Sequence, residues 1–317
     1  MKLKIYIHSL KEKPEIWRQV FHHYFPEHSF DIEMISDRTD YSDADFIIQG
    51  MDTTCIDPKR CPNLKAIASP GAGVDHILFD GECHLVWPEN IPVIRVRDQM
   101  LGFMCSDYAL MRALFFNLHM HSYRRYQQEK RWSPHRPGKI KRIGVLGMGD
   151  VGMACALRLK DNLFEVCGWR KHKHKDNQNI PTYTGEDGLV ALIQSCNLFV
   201  NALPLTNETH HLLKKFHFEK MPVGSCFVNL GRGENIVEED LLYVLGSGHL
   251  SRAYLDVFEQ EPLPENHPYW ENTQLHITPH VAGKYIPNRS AADLAQSFRL
   301  LLEGKPVPNK IDYQLKY

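Results

Sequence analysis

The stretch from Ile143 to Ala154, IGVLGMGDVGMA, constrains the fold of this chain more than any other. The apolar run Ile140–Leu146 reads as a strand, and Gly149–Lys160 as a helix with Val151, Ala154, Cys155 and Leu159 on one face. A strand that passes through glycines straight into an amphipathic helix is the first half of a βαβ unit. Its return strand follows at Glu165–Trp169. Gly147 permits the tight turn, Gly149 lets a ligand approach the backbone, and Gly152 lets the helix pack close to the strand. The free N–H groups of such a helix end carry partial positive charge, which suits a pyrophosphate. Gly147, Met148, Gly149, Asp150, Val151 and Gly152 are therefore candidate dinucleotide ligands.

The same alternation runs through the chain. KLKIYIH, Phe30–Met34, DFIIQG, LKAIAS and PVIRV read as strands of a first block that closes near residue 97, with a helix through Trp17, Val20, Phe21 and Tyr24. One long helical pattern, roughly Leu101–Tyr126, follows. Its broad apolar face suits burial between domains or subunits. After the glycine turn come a helix at GLVALIQ, strands at LFVNALP and SCFVNLG, a helix at IVEEDLLYVLGSG, and strands at RAYLDVF and LHITPH. A last helix runs from Ile286 to about Leu302. The expected fold is α/β, two doubly wound parallel-sheet, Rossmann-like domains with the second inserted into the first. The boundaries expected are 1–98 plus 285–317 for a substrate domain and 99–284 for a dinucleotide-binding domain.

The end of the second strand is unusual. NAD-binding units generally place a carboxylate there to accept the ribose hydroxyls. This chain has Trp169, Arg170 and Lys171, then His172, Lys173, His174 and Lys175. A carboxylate would repel a 2′-phosphate, whereas Arg170 can grip one through two parallel N–H bonds and Lys171 adds charge. NADPH is the expected cofactor, with NADH possible.

Bulk composition excludes other classes. A net charge of -1 gives no field favouring nucleic acid or an anionic membrane. The best membrane-span candidate, YALMRALFFNLHM, is broken by Arg112, and the N-terminal apolar run is too short for a signal peptide. Eight cysteines without a CxxC pair fit buried thiols in a reducing cytoplasm. Metal is not expected: His119 and His121 should face different sides of one helix, and His172 and His174 sit in a basic run.

Four segments together resemble the D-isomer-specific 2-hydroxyacid dehydrogenases: SPGAGVDHI at 69–77, VLGMGDVG at 145–152, FVNLGRGENIVEEDLL at 227–242, and YLDVFEQEPLP…ITPHVAG at 254–283. The stretch DYALMRALFFNLHMHSYRRYQQEKRW and the CGWRK strand end look most like the glyoxylate/hydroxypyruvate reductase A subgroup. The resemblance implies three catalytic residues, Arg232, Glu261 and His280. It gives Ala72, Gly73 and Val74, with Arg232, the substrate carboxylate. It places Leu203 and Pro204 on the adenine side and Asp256 toward the nicotinamide, with Leu230 and Gly231 as further cofactor-binding residues. The reactions it implies are glyoxylate to glycolate and hydroxypyruvate to D-glycerate. A D-lactate or phosphoglycerate dehydrogenase, or a non-catalytic dinucleotide-sensing module, is the alternative. The expected partners are a small 2-oxoacid and a second copy of the chain, paired through the 101–126 helical region.

The three catalytic assignments are chemically coherent. Reducing a 2-oxoacid needs a cation for the carboxylate and ketone, a proton donor for the developing alkoxide, and a hydride source. Arg232 and His280 each follow a strand, where ligands bind in open α/β sheets. An imidazolium is a suitable donor near neutral pH. Glu261, bonded to that ring, would fix its orientation and favour the charged form.

Overall fold

The computed structural model describes residues 3–10, 12–26, 30–35, 40–79, 87–136, 138, 140–173 and 179–313. The chain divides into two compact units, Met1–Asp98 with Lys284–Tyr317, and Gln99–Gly283.

The first unit opens with β1 (Leu3–His8), α1 (Pro14–Tyr24), β2 (Phe30–Met34), β3 (Phe46–Gln49), β4 (Ala66–Ala68), α2 (Asp75–Leu78) and β5 (Val93–Ile94). Its parallel sheet has the order β2-β1-β3-β4-β5. Successive strand residues point to opposite faces, so both faces are cores. Ile5, Ile7, Phe46 and Ile48 pack with Trp17 and Phe21 of α1 on one face. Tyr6, Ile47 and Ile67 pack with Ile77 and Leu78 of α2 on the other.

The second unit begins with α3 (Gln99–Asn117) and α4 (Met120–Gln128). It continues through β6 (Ile143–Leu146), α5 (Asp150–Asp161), β7 (Val166–Arg170), β8 (Thr182–Thr184), α6 (Gly185–Ser195), β9 (Leu198–Asn201), α7 (Lys215–Lys220), β10 (Ser225–Asn229), α8 (Glu238–Gly246), β11 (Leu250–Leu255) and β12 (Leu275–Ile277). The order β12-β11-β10-β9-β6-β7-β8 reverses direction at β6, whose neighbours are β9 and β7. That reversal is the topological switch point at which doubly wound sheets open a crevice.

The single long helix expected over 101–126 is two. His119 takes a left-handed conformation, φ 57°. The Asn117 side chain leaves the helix to accept the Ile140 N–H at 3.0 Å, and the His119 carbonyl starts the next turn by accepting the Ser122 N–H at 2.9 Å. The bend also overturns the expectation that His119 and His121 face apart. Their rings lie 6.4 Å centre to centre, and His119 stacks on His135 at 4.7 Å. The short polar edge strand β8 and the six-residue α7 escaped the periodicity reading because neither carries an apolar repeat.

The chain re-enters the first unit as α9 (Pro287–Leu302), which packs on α1. Phe298 stacks on Phe46 at 4.2 Å between centroids and meets Phe21 edge-on at 5.8 Å. Arg289 clamps Asp98 through two 2.6 Å bonds, tying the point where the chain leaves this unit to the point where it returns. The seven described cysteines are free, and all but Cys55 are buried. Cys83 lies outside the described residues. No described helix is long and apolar enough to cross a membrane.

Candidate active site

The glycine turn lies at the switch point of the second unit. Gly147 donates to the Trp169 carbonyl at 2.9 Å and has φ +89°. A Cβ there would come within 2.7 Å of the Ala202 carbonyl beyond β9, and a Cβ on Gly152 would overlap the Gly147 carbonyl. A Cβ on Gly149 would meet nothing within 4 Å. The outer two glycines are thus required by packing, while the middle one leaves open space at the start of α5, the cradle a pyrophosphate needs.

At the end of β7, the Trp169 side chain is not available to a ligand. It is buried and its Nε1–H donates to the Gly185 carbonyl at 2.8 Å, so only its backbone borders the turn. Arg170 folds back and donates through Nη2 to the Met148 carbonyl. Lys171 pairs with Glu208 Oε1 at 2.7 Å, and His172 approaches the same carboxylate at 4.0 Å. Read linearly, this strand end has no carboxylate. The fold supplies one from the segment after β9. His174 and Lys175 lie outside the described residues.

Leu203 and Pro204 follow β9 and are held by its last residue. Asn201 Oδ1 accepts the Leu203 N–H at 3.3 Å, and the Pro204 carbonyl accepts from Thr209 Oγ1 at 2.6 Å.

Arg232 sits just past β10 in a turn built by three asparagines with no exposed surface. Asn201 Nδ2 donates to Asn229 Oδ1 at 2.9 Å and to Asn235 Oδ1 at 3.0 Å. Asn229 Nδ2 donates to the Arg232 carbonyl at 3.0 Å, its Oδ1 accepts the Gly231 N–H at 3.1 Å, and Asn235 Oδ1 accepts the Arg232 N–H at 2.9 Å. The Gly231 N–H and both backbone polar groups of Arg232 are therefore fixed by buried amides, and the Arg232 Nη1 donates to the Gly231 carbonyl at 2.8 Å. Next to it, a Cβ on Gly233 would overlap the peptide joining Phe258 and Glu259, so this turn lies directly against the segment leading to Glu261.

His280 and Glu261 meet: Nδ1 and Oε2 are 2.7 Å apart, with the side chains 32% and 33% exposed. Glu261 Oε1 also accepts the Phe258 N–H at 3.1 Å. Burial works against its ionisation. The His280 bond and charge, the Phe258 N–H and the Arg232 guanidinium outweigh burial and hold the carboxyl below the usual carboxylate range. With Nδ1–H given to the carboxylate, Nε2 is the nitrogen left to present a proton. His280 itself has a left-handed backbone, φ 50°, unusual for a residue with a Cβ. Asp256 imposes it. Its carbonyl accepts the His280 N–H at 2.8 Å, and its buried carboxylate accepts Val281 N–H at 3.0 Å, Ala282 N–H at 2.8 Å and Thr278 Oγ1 at 2.6 Å. Tyr108 of α3 extends the chain, 2.6 Å from Thr278 Oγ1.

Sequence reasoning missed Asn201, Asn229, Asn235 and Thr278. A signal for the first two existed: β9 and β10 both end in FVN, and Asn201 and Asn229 pair in the ladder. Ala72, Gly73 and Val74 lie in the first unit after β4, in a loop where Gly71 N–H donates to Ser69 Oγ at 3.2 Å and the Gly71 carbonyl accepts the Val96 N–H at 3.0 Å. Among the described residues no group of three His, Cys, Asp or Glu side chains could hold a metal ion.

A family model described as the NAD binding domain of D-isomer specific 2-hydroxyacid dehydrogenase matches residues 110–282. The glyoxylate/hydroxypyruvate reductase A of Yersinia enterocolitica is 31% identical over 252 residues, 78% of this chain and 80% of that protein. A D-isomer-specific 2-hydroxyacid dehydrogenase from Xanthobacter autotrophicus Py2, solved with NADPH and MES, matches with a TM-score of 0.89 at 30% identity over 100% of both chains. The NADPH-dependent glyoxylate/hydroxypyruvate reductase of Sinorhizobium meliloti, solved with NADP and sulfate, matches with a TM-score of 0.86 at 28% identity over 99% of this chain and 100% of that one. The glycine turn, the two parallel sheets and these relatives lead to one conclusion: the chain belongs to the D-isomer-specific 2-hydroxyacid dehydrogenase family and is an NAD(P)-dependent oxidoreductase.

Proposed function

We propose that the protein uses NADPH to reduce a small 2-oxoacid, glyoxylate to glycolate and hydroxypyruvate to D-glycerate. The observation that carries this reading is the 2.7 Å bond between His280 and Glu261, formed against the turn that carries Arg232. It is an oriented proton donor next to a cation, the pair that ketone reduction requires. A dinucleotide-sensing module would have no use for it.

In this reading Arg232 binds the substrate carboxylate and polarises the ketone, and His280 Nε2 delivers a proton to the developing alkoxide. Glu261 stabilises the imidazolium before transfer. Ala72, Gly73 and Val74 of the first unit take the substrate carboxylate on the resemblance alone, which makes 1–98 plus 285–317 the substrate domain and 99–284 the dinucleotide domain. The residues for the cofactor fit it. Open space at Gly149 and the start of α5 suits the pyrophosphate, Arg170 and Lys171 the 2′-phosphate, Leu203 and Pro204 the adenine side and Asp256 the nicotinamide side, with Leu230 and Gly231 as further cofactor contacts. Bound NADPH supplies the hydride. Glu208 beside Lys171 tempers the positive charge at the β7 end, which supports some use of NADH as well.

Exposed Phe103, Met111, Leu114 and Leu118 on and just after α3 support pairing of two copies through this helix.

Initial rates with glyoxylate, hydroxypyruvate, pyruvate and 3-phosphohydroxypyruvate, each with NADPH and NADH, test the proposal. Glyoxylate and hydroxypyruvate with NADPH should be fastest. A preference for pyruvate would assign the D-lactate type, and one for 3-phosphohydroxypyruvate the phosphoglycerate type. No turnover with any of them would favour the sensing module. Arg170→Ala should raise the NADPH KM about tenfold or more and leave the NADH KM nearly unchanged.

A further inference from the structure

The second unit contains a cavity of about 600 Å³ on the side of the sheet covered by α3 and α4, lined by Arg112, Arg124, Arg125 and Arg252 together with His121 and His276. Its remaining lining is Phe115, Gln128 and Thr273, so no carboxylate is among the described residues that line it. Among the described ion pairs, Arg125 lies 3.5 Å from Glu129. None of these residues belongs to the candidate active site.

Two of the arginines are held rigid. Arg112 lies over the rings of Tyr108 and Tyr254, at 4.6 and 5.0 Å, and its Nη2 donates to Tyr108 Oη at 2.9 Å. Arg252 is anchored by a 2.8 Å bond from Nη1 to the Thr273 carbonyl. The Nε–H groups of both, and Nε2 of His276, are buried without a hydrogen-bond partner among the described residues. Burial, then Arg112, Arg252 and Arg124, push His276 down to about 4, so its imidazole is neutral near pH 7 and adds no charge of its own. A solvated surface run of arginines costs little. Guanidiniums gathered around one concavity, with no carboxylate among its described lining residues, are under-compensated unless an acceptor enters.

We propose that this cavity binds a multiply charged oxyanion, as free phosphate or as the phosphate group of a small metabolite. Arg112 and Arg252 each have one Nη group outside the bonds named above to offer such an anion, and Arg124 and Arg125 of α4 add charge to the lining. A carboxylate from a second copy of the chain is the competing occupant, because α3 also carries the exposed apolar face.

The test titrates inorganic phosphate, and separately glycerol 3-phosphate, into the NADP-saturated protein by calorimetry. Potassium chloride holds ionic strength constant, and His276 is followed by NMR. Phosphate should bind and shift the His276 ring signals. Arg252→Gln and Arg124→Gln should each weaken binding about tenfold; Arg124 is exposed on α4, so its loss leaves the core intact. Tighter binding of the ester assigns the site to a metabolite, and equal binding assigns it to the free ion. The proposal is overturned if the wild-type protein shows no phosphate binding, or if both variants bind phosphate as the wild type does. It is also overturned if phosphate binding is absent and the variants lower the mass in solution, which would give the arginines to a second copy.

Discussion

His280 shows how tightly a single residue is specified here. Its strained left-handed backbone, a conformation that costs on the order of 1–3 kcal/mol for such a residue, is held by the Asp256 carbonyl, while its ring is aimed by Glu261. Arg232 is fixed as firmly by the asparagines. Replacing it with alanine should lower kcat/KM with glyoxylate by about a hundredfold or more while the fold, read by circular dichroism, stays intact. Glu261 gives a pH prediction. Its folded pKa lies below the unfolded value of 4.5, so the native state binds fewer protons. Its contribution to stability is therefore complete above about 4.5 and lost as pH falls through the lower folded value. Glu261→Gln should flatten that acid limb in denaturant titrations at graded pH. The three proposed catalytic residues could be nominated from the sequence because each sits in a distinctive motif, and the fold brings two of them, His280 and Glu261, into contact. Their supports could not be nominated: a buried asparagine and a surface one are the same letter, and only tertiary proximity brings Asn235 to Asn201.

At the scale of elements, chemistry collects at strand ends. The ends of β6, β7, β9 and β10 carry the glycine turn, Arg170, Asn201 and Asn229. Asn201 serves two neighbours at once, so Asn201→Ala removes one of the donors to each of Asn229 Oδ1 and Asn235 Oδ1 and leaves the buried Leu203 N–H without its acceptor. It should cost about 2–3 kcal/mol of stability, measured by urea unfolding, and should lower kcat through the displaced Arg232 turn. The elements were mostly legible because strands buried on both faces read as unbroken apolar runs. The misreadings share a cause. The α3–α4 break depends on Asn117 finding the Ile140 N–H, and the neutralising Glu208 reaches Lys171 from a distant segment. Both partnerships are non-local, and no window of sequence contains them.

For the molecule as a whole, the doubly wound pattern with an inserted second unit was readable from the alternation of strands and helices, since that alternation permits few topologies. Phe298 tests how the first unit is assembled. Phe298→Ala removes a ring stacked at 4.2 Å on Phe46 and should cost about 3–5 kcal/mol, seen as early unfolding of that unit in thermal melts. Binding of NADPH by the second unit should persist at temperatures where the first has already melted. The split of the first unit between both ends of the chain sets an order of assembly in the cell. When the ribosome has made residue 98, the sheet face of Ile5, Phe46 and Ile48 has α1 but still lacks α9, and its cover is synthesised nearly two hundred codons later. By the end of that interval the inserted unit has all its residues and can fold first, while the incomplete one waits with a sticky surface of the kind chaperones shield.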